Sequence, residues 1–464
     1  MNPPGRPKGE HRSAQHEGLA VNAGTDGTAA AAPHALAAAA RRDREPDLLR
    51  TAAYGLFAMP LAMAALPLYV HLPKFYGGTL GVDLALLGAV LLVLRLADGL
   101  VDPLLGVWSD RLPSRRAAVA LSAPILAGGM IALFMPLPRG ETALLAWLGV
   151  ALALVYTAYS VAMINHNAWG AELSTDPVGR TRITAVREGL ALVGVIVASV
   201  APAVLADEGD SEGGLGAFAV VFAAFTLLCA AVTLRAPAAP RHAAATAEPL
   251  AARLSAPLAD PLFGRLLLVF LANGIASAIP ATLVLFFIAD VLQAESRQGL
   301  FLALYFVAGG IGMPLWVRLS AAWGKARAWM AGMVAAIVAF VWAWALGPGD
   351  TAAFATICVL SGLALGADLA LPPSLLADVI DRDGRARPTG AYFGLWTLAT
   401  KLNLALAAGI ALPLLGLLGY VPGATGGAGL AALAFVYALV PCVLKLGALF
   451  ALHRFQAAST KDSP

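Results

Sequence analysis

The chain has 464 residues, 59% of them hydrophobic and only 13% charged, with a formal net charge of +3 and a mean hydropathy of +0.77. Soluble proteins carry roughly 25% charged residues, so this chain has too little polar side chain to cover a globule of its size. An aqueous enzyme, a nucleic-acid binder and a disordered scaffold are excluded on that ground, and the solvent for most of the chain must be lipid.

Residues 1–46 are rich in Ala, Gly, Pro, His and Arg and contain no apolar run long enough for a signal peptide. They are expected to form a disordered cytoplasmic tail, or to reflect a start placed too early. Twelve apolar stretches follow, each of the length that crosses roughly 30 Å of hydrocarbon as a helix. They centre on 51–72, 83–107, 117–136, 143–169, 182–205, 214–235, 263–289, 298–318, 327–347, 352–379, 389–418 and 427–452. The expected fold is an all-α polytopic membrane protein. Cys229, Cys358 and Cys442 lie far apart in apolar segments, giving neither a disulfide framework nor a metal spacing.

Lys and Arg concentrate in cytoplasmic loops. With the N-terminus inside, 24 of them fall on the inner side and three (Lys74, Arg139 and Arg297) on the outer side. Both termini are therefore expected in the cytoplasm of a cell whose inner membrane holds the protein. The longest polar connection, at about 236–261, divides the spans six and six. The expected organisation is a six-helix bundle over 47–236, a central loop over 237–261, a second bundle over 262–453 and a short tail over 454–464. Arg95 to Pro103 of the second span lines up with Phe306 to Pro314 of the eighth, and Glu172 with Asp378 at the ends of the fourth and tenth. Two six-helix repeats are the organisation of secondary transporters.

Charges inside membrane segments are costly and mark function by default. Arg95, Asp98 and Asp102 of the second span are spaced i, i+3, i+7, which at 100° per residue puts all three within about 60° of one face. Two carboxylates and one guanidinium leave a net charge of −1, a composition that one monovalent cation or one proton neutralises. The alternative is a plain Arg–Asp bridge that holds the bundle together. Lys401 of the eleventh span either reaches Asp98 or Asp102 across a cavity or snorkels to the interface. Asp368, Asn165, His166, Asn167 and Trp396 are candidates for a substrate cavity, with hydrogen-bonded packing as the other reading of the polar ones. Asp110, Arg111 and the Arg115-Arg116 pair after the second span read as a gate latch or as topology signals. No metalloprotease, serine-hydrolase or CxxC motif accompanies these charges, and no cofactor is expected beyond a transported Na+ or H+.

The loop Gly106 to Arg116 resembles the signature of the major facilitator superfamily, with one extra residue before the basic pair. Arg95, Asp98, Asp102-Pro103, Gly106 and Asp110-Arg111 resemble the hallmark of the glycoside-pentoside-hexuronide:cation symporters, the family of the melibiose carrier. Further blocks agree with that family: Tyr54-Gly55, Gly170 to Leu173 with Asp176 and Arg180 to Arg182, Ala377 to Asp381 with Gly390, Tyr392, Gly394 and Lys401, and Gly419 to Pro422. The resemblance covers about 50–452. It implies that Asp98 and Asp102 bind the coupling cation, that Arg95 pairs with them, and that Lys401 ties the cation site to the substrate site. It also implies gates built from Asp110, Arg111, Glu172, Arg180, Asp378 and Asp381. Leu61 or Ala62 and Met163 stand where the melibiose carrier places sugar-binding acids, and Asn165-His166-Asn167 replaces its proline and aromatic. The function implied is cation-coupled symport of a sugar, glycoside or similar polar solute by a monomer. A proton-coupled exporter of drugs or metabolites, or a carrier of lipid-type substrates, is the alternative on the same fold.

Overall fold

The structure is a computed structural model that describes residues 47–112, 114–205, 211–236, 250–382, 387–420 and 427–461. The expected tail over 1–46 lies outside the described residues. Among those described there is no β-strand, and twelve long helical segments follow one another, one for each apolar stretch.

In the first half, α1 is a broken helix over 48–79, in which Leu48–Gly55 and Ala58–Leu66 lead into π-helical turns at Pro67–His71 and Phe75–Thr79. It is followed by α2 (Leu84–Ser109), α3 (Arg115–Phe134), α4 (Glu141–Glu172), α5 (Pro177–Val204) and α6 (Ser211–Thr233). A short helix, Leu250–Leu258, lies in the stretch expected to be a loop. The second half comprises α7 (Pro261–Phe286), α8 (Gln298–Trp323), α9 (Lys325–Phe340), α10 (Thr351–Asp381), α11 (Thr389–Leu417) and α12 (428–461, with a π turn at Phe435–Leu439). The last helix runs on to Lys461, so the end of the chain read as a tail is largely helical.

Local sequence sets several of these starts. Asp176 and Asp260 each precede a proline at the first helical position, and their carboxylates accept from Gly179 N–H and from Leu262 and Phe263 N–H. An acidic N-cap followed by proline satisfies free amides and fixes φ before the helix begins. Ten of the twelve segments are long and apolar enough to cross a bilayer by length and composition. The remaining two, α2 and α5, have 26 and 28 residues, enough to span, and carry Arg95, Asp98, Asp102, Arg180, Arg182, Arg187 and Glu188.

The outside of the bundle is apolar. Leu92, Val93, Leu96 and Leu100 on α2, and Val443, Leu446 and Phe450 on α12, are exposed, which is stable only against hydrocarbon. Exposed Trp108 and Trp323 lie at one end of the bundle, and Trp342 and Trp344 at the other. Those are the positions of interfacial aromatic belts. Tyr54, Phe57, Trp169 and Phe222 belong to one apolar core cluster, and Phe263, Trp329, Leu371 and Phe393 to another.

The first six helices meet the last six along α2 against α11, and along α5 against α8 and α10. Three glycines, Gly106 of α2 and Gly390 and Gly394 of α11, meet where α2 and α11 come closest. A Cβ on Gly106 would sit 2.3 Å from the Gly390 carbonyl, and one on Gly394 would sit 2.7 Å from the Asp102 carbonyl. Backbone meets backbone there, and the charged side chains flanking the crossing are brought within reach of one another.

Candidate functional site

Lys401 of α11 faces the two α2 carboxylates. Its Nζ donates to Asp98 Oδ2 at 2.6 Å, to Asp102 Oδ1 at 3.0 Å and to Ser160 Oγ at 3.0 Å. Asp102 Oδ2 is also 2.8 Å from Nζ, a charge contact without hydrogen-bond direction. Ser160 of α4 in turn donates to Asp98 Oδ1 at 3.1 Å. Asp102 is fully buried and the Asp98 side chain nearly so. Two carboxylates and one ammonium sum to −1, so the centre retains room for one positive charge. Pro103, inside α2, has no N–H and leaves the Gly99 carbonyl, four residues earlier, without its intrahelical donor. The oxygens at the centre are those of two carboxylates and a hydroxyl, hard ligands of the kind that suit Na+ or an exchangeable proton.

Arg95 is exposed on α2, and the side chain that bridges both carboxylates is Lys401. The i, i+3, i+7 spacing groups Arg95 with the aspartates on one helix face. The Gly-to-Gly approach of α11 brings a second cation against them, a contact between residues about 300 positions apart in the chain.

At the end of the bundle where the basic residues lie, most of the residues expected to form gates belong to two equivalent assemblies. Arg115, opening α3, donates to Asp110 at 2.8 Å, to Glu172 at the end of α4 at 3.1 Å and to Ser109 at 2.6 Å. In the other half Lys325, opening α9, donates to Asp378 at the end of α10 at 2.5 Å. Glu172 and Asp378, aligned by the sequence comparison, thus occupy corresponding ion pairs. Each assembly also reaches across the halves. Asp110 Oδ1 and Oδ2 accept from Gly390 N–H at 2.7 Å and Ala391 N–H at 3.0 Å, so a carboxylate from α2 caps the N-terminus of α11. Arg180, opening α5, bridges Asp378 at 3.1 Å and also pairs with Asp381. Thr181 and Ser374 are hydrogen-bonded beside it at 2.9 Å. Hydrogen bonds and ion pairs therefore bridge the two halves at the basic end of the bundle.

The substrate candidates do not form one group. Asn165 accepts from Ser109 at 2.7 Å and donates to the Val161 carbonyl at 2.8 Å, which links α2 to α4 and, through Ser109, to Arg115. His166 is fully buried, with Nε2 2.8 Å from the Tyr54 carbonyl and its ring against Tyr54 and Phe57. Asn167 keeps a buried Oδ1 with no hydrogen-bond partner. Trp396 stacks on Phe270 with ring centroids 3.8 Å apart. Asp368 lies elsewhere, bonded to Trp329 and Lys445 within the second half. Arg111 is exposed. Sequence reasoning missed Ser160, which looks like any serine of an apolar helix, and counted Lys325 as a loop charge, whereas its side chain is 7% exposed beneath α10.

The cross-half latch yields one expectation. Arg180→Gln removes the partner of two carboxylates, and losing a charge-assisted contact worth roughly 1.5–3 kcal/mol should shift the population toward opening at the basic end. A cysteine introduced at Ala391, which is 2% exposed against Asp110, should then react with a hydrophilic thiol reagent about tenfold faster or more than in the Arg180 background. Cys229, Cys358 and Cys442 are all buried and give little background. Equal labelling rates would show that Arg180 is not part of a latch.

Among the described residues, no group of three or more His, Cys, Asp or Glu side chains could hold a metal ion. Solved structures share the architecture. A bacterial homologue of the iron transporter ferroportin in an outward-facing state is 17% identical, with a TM-score of 0.63, over 88% of this chain and 99% of that one. The E. coli fucose:proton symporter is 13% identical with a TM-score of 0.65 over 88% and 97%. A human organic anion transporter is 21% identical with a TM-score of 0.60 over 88% and 100%. At such identities these likenesses show the fold, that of major facilitator transporters. No curated protein matches the chain in sequence. Residues 52–458, however, match the MFS/sugar transport protein family over nearly the whole described chain. With its twelve-helix architecture, its charged centre at the α2–α11 crossing and that match, the chain belongs to the MFS/sugar transport protein family.

Proposed function

We propose that the protein is a secondary transporter of the inner membrane that couples Na+ or H+ to the symport of a sugar-like polar solute by alternating access. The observation that carries this reading is the −1 centre in which Lys401 of one half holds Asp98 and Asp102 of the other. Lys401 and a coupling cation compete for the same oxygens. With the cation absent, the ammonium ties α11 to α2. Cation binding weakens that tie and lowers the cost of the rocking motion that exposes the site to the other side. The latched basic end corresponds to a conformation closed to the cytoplasm, an orientation that rests on the distribution of Lys and Arg. Of the solute candidates, Asn167 and Trp396 are retained, while Asn165 and His166 serve to hold α4.

The test is uptake into proteoliposomes against a panel of glycosides, pentosides and uronates, with Na+ and pH gradients imposed separately. Accumulation is expected with one gradient and not the other, and Asp98→Asn or Asp102→Asn should abolish accumulation while the protein still inserts. Full accumulation by both variants would remove the cation assignment. Efflux of unrelated drugs with no sugar counterflow would favour the exporter.

A further inference from the structure

The two halves differ in their outer helices. Past Arg116 in α3 and past Glu212 in α6 there is no charged side chain, whereas α12 carries Lys445 halfway along its length. Lys445 Nζ donates to Asp368 Oδ2 at 2.8 Å, to Asn273 Oδ1 at 2.7 Å and to Ser277 Oγ at 3.4 Å, and Asp368 Oδ1 accepts from Trp329 Nε1 at 2.8 Å. This cluster joins α7, α9, α10 and α12 and shares no helix with the Asp98–Asp102–Lys401–Ser160 centre on α2, α4 and α11. The pair also contributes to the lining of a cavity of about 330 Å³. The walls run from the pair toward the end of the bundle opposite the latches and are formed by Phe301, Tyr305, Phe340, Phe354, Ile357 and Tyr437. Among the described residues of the first half, only Val195 reaches the cavity.

We propose that this cavity is a second solute site, one that takes an uncharged amphipathic molecule with a ring-sized apolar body and a hydroxyl-bearing head. The aromatic walls suit the body, since small-ligand sites are mostly apolar with a few convergent polar groups. The head is assigned as uncharged because Asp368 and Lys445 already neutralise each other. A charged head would leave an unbalanced charge in a low-dielectric interior. All three donors of Lys445 are engaged, whereas the Asp368 carboxylate has further lone pairs for a ligand hydroxyl. A pair that only pinned four helices together would not need to face an open cavity. The proposal rests on the reading of the chain as a solute transporter, but not on where the cation binds.

The experiment is equilibrium binding to the full chain in nanodiscs of three probes: phenyl β-D-glucoside, methyl β-D-glucoside and phenyl β-D-glucuronide. The phenyl glucoside should bind at least about tenfold more tightly than either of the others. Ile337→Trp, which fills the cavity from α9, should remove that preference and leave the weak methyl glucoside affinity as it was. Asp368→Asn with Lys445→Gln keeps the site neutral, which avoids an unpaired buried charge, and should weaken phenyl glucoside binding by a similar factor. Equal affinity for the three probes, no binding of the phenyl glucoside at millimolar concentration, or a preference that survives Ile337→Trp would overturn the proposal. If gradient-driven uptake persists without the phenyl preference, only the cavity assignment falls. If the preference persists without any gradient-driven uptake, the transport reading falls instead.

Discussion

Lys401→Gln is expected to reduce gradient-driven accumulation by about 100-fold or more and to destabilise the protein as well. The ammonium is the shared partner of Asp98 and Asp102, and Asp102 has no exposure of its own. Its removal leaves two adjacent buried carboxylates, and breaking a buried pair from one side costs about 3–5 kcal/mol. The site then carries −2 with no ammonium to compete with the coupling cation, so cation binding no longer releases a tie between α11 and α2. Adding Asp102→Asn to Lys401→Gln removes the excess charge and should restore melting temperature and yield without restoring accumulation. Thermal unfolding in detergent and proteoliposome uptake separate the two effects. Rescue of stability alone is the expected pattern. Accumulation near the parent level in Lys401→Gln would mean that the lysine only braces the bundle.

Gly106→Ala is expected to lower the melting temperature and to reduce uptake by about tenfold or more, although it adds a single methyl group. That methyl would sit 2.3 Å from the Gly390 carbonyl and 3.0 Å from Gly394 Cα. Backbone cannot yield as a flexible side chain can, so α2 and α11 must separate. Overpacking of this kind costs typically 1–3 kcal/mol, and the separation also lengthens the Lys401–Asp98 contact and pulls the Asp110 cap away from Gly390 and Ala391. Gly99, on the same helix and one turn from Asp102, is the control. Its nearest contact for a Cβ is a Leu398 methyl at 3.7 Å, an ordinary van der Waals distance, so Gly99→Ala should be neutral or slightly stabilising through helix propensity. Similar losses in both variants would show that the crossing does not depend on close backbone approach.

The legible part of the molecule was the part written in composition and period. Twelve apolar stretches became twelve helical segments because lipid accepts no unpaired backbone amide, so a long apolar stretch in this chain has helix as its only available state. Asp98 and Asp102 stood out because charge is rare in such stretches and the i, i+4 spacing puts them on one face. Their pairing with Lys401 was open in the sequence, which equally allowed the lysine to snorkel. The grouping of Arg95 with the aspartates was readable from spacing alone, whereas the Lys401 contacts come from another helix.

What the sequence determined by itself was the solvent, the number of helices and which few charges lie within them, because each follows from local hydropathy. Tertiary structure decided which of those charges meet. Glycine at positions 106, 390 and 394 lets α2 and α11 touch, which sets Lys401 against Asp98 and Asp102 and leaves Arg95 exposed. Packing of α9 under α10 turns Lys325 from an apparent loop charge into the buried partner of Asp378. The same folding keeps Asp368 away from that centre and joins it to Lys445, 77 residues further along the chain. Partners on different helices are selected by distances that only the packed bundle fixes, and no periodicity along one segment encodes them.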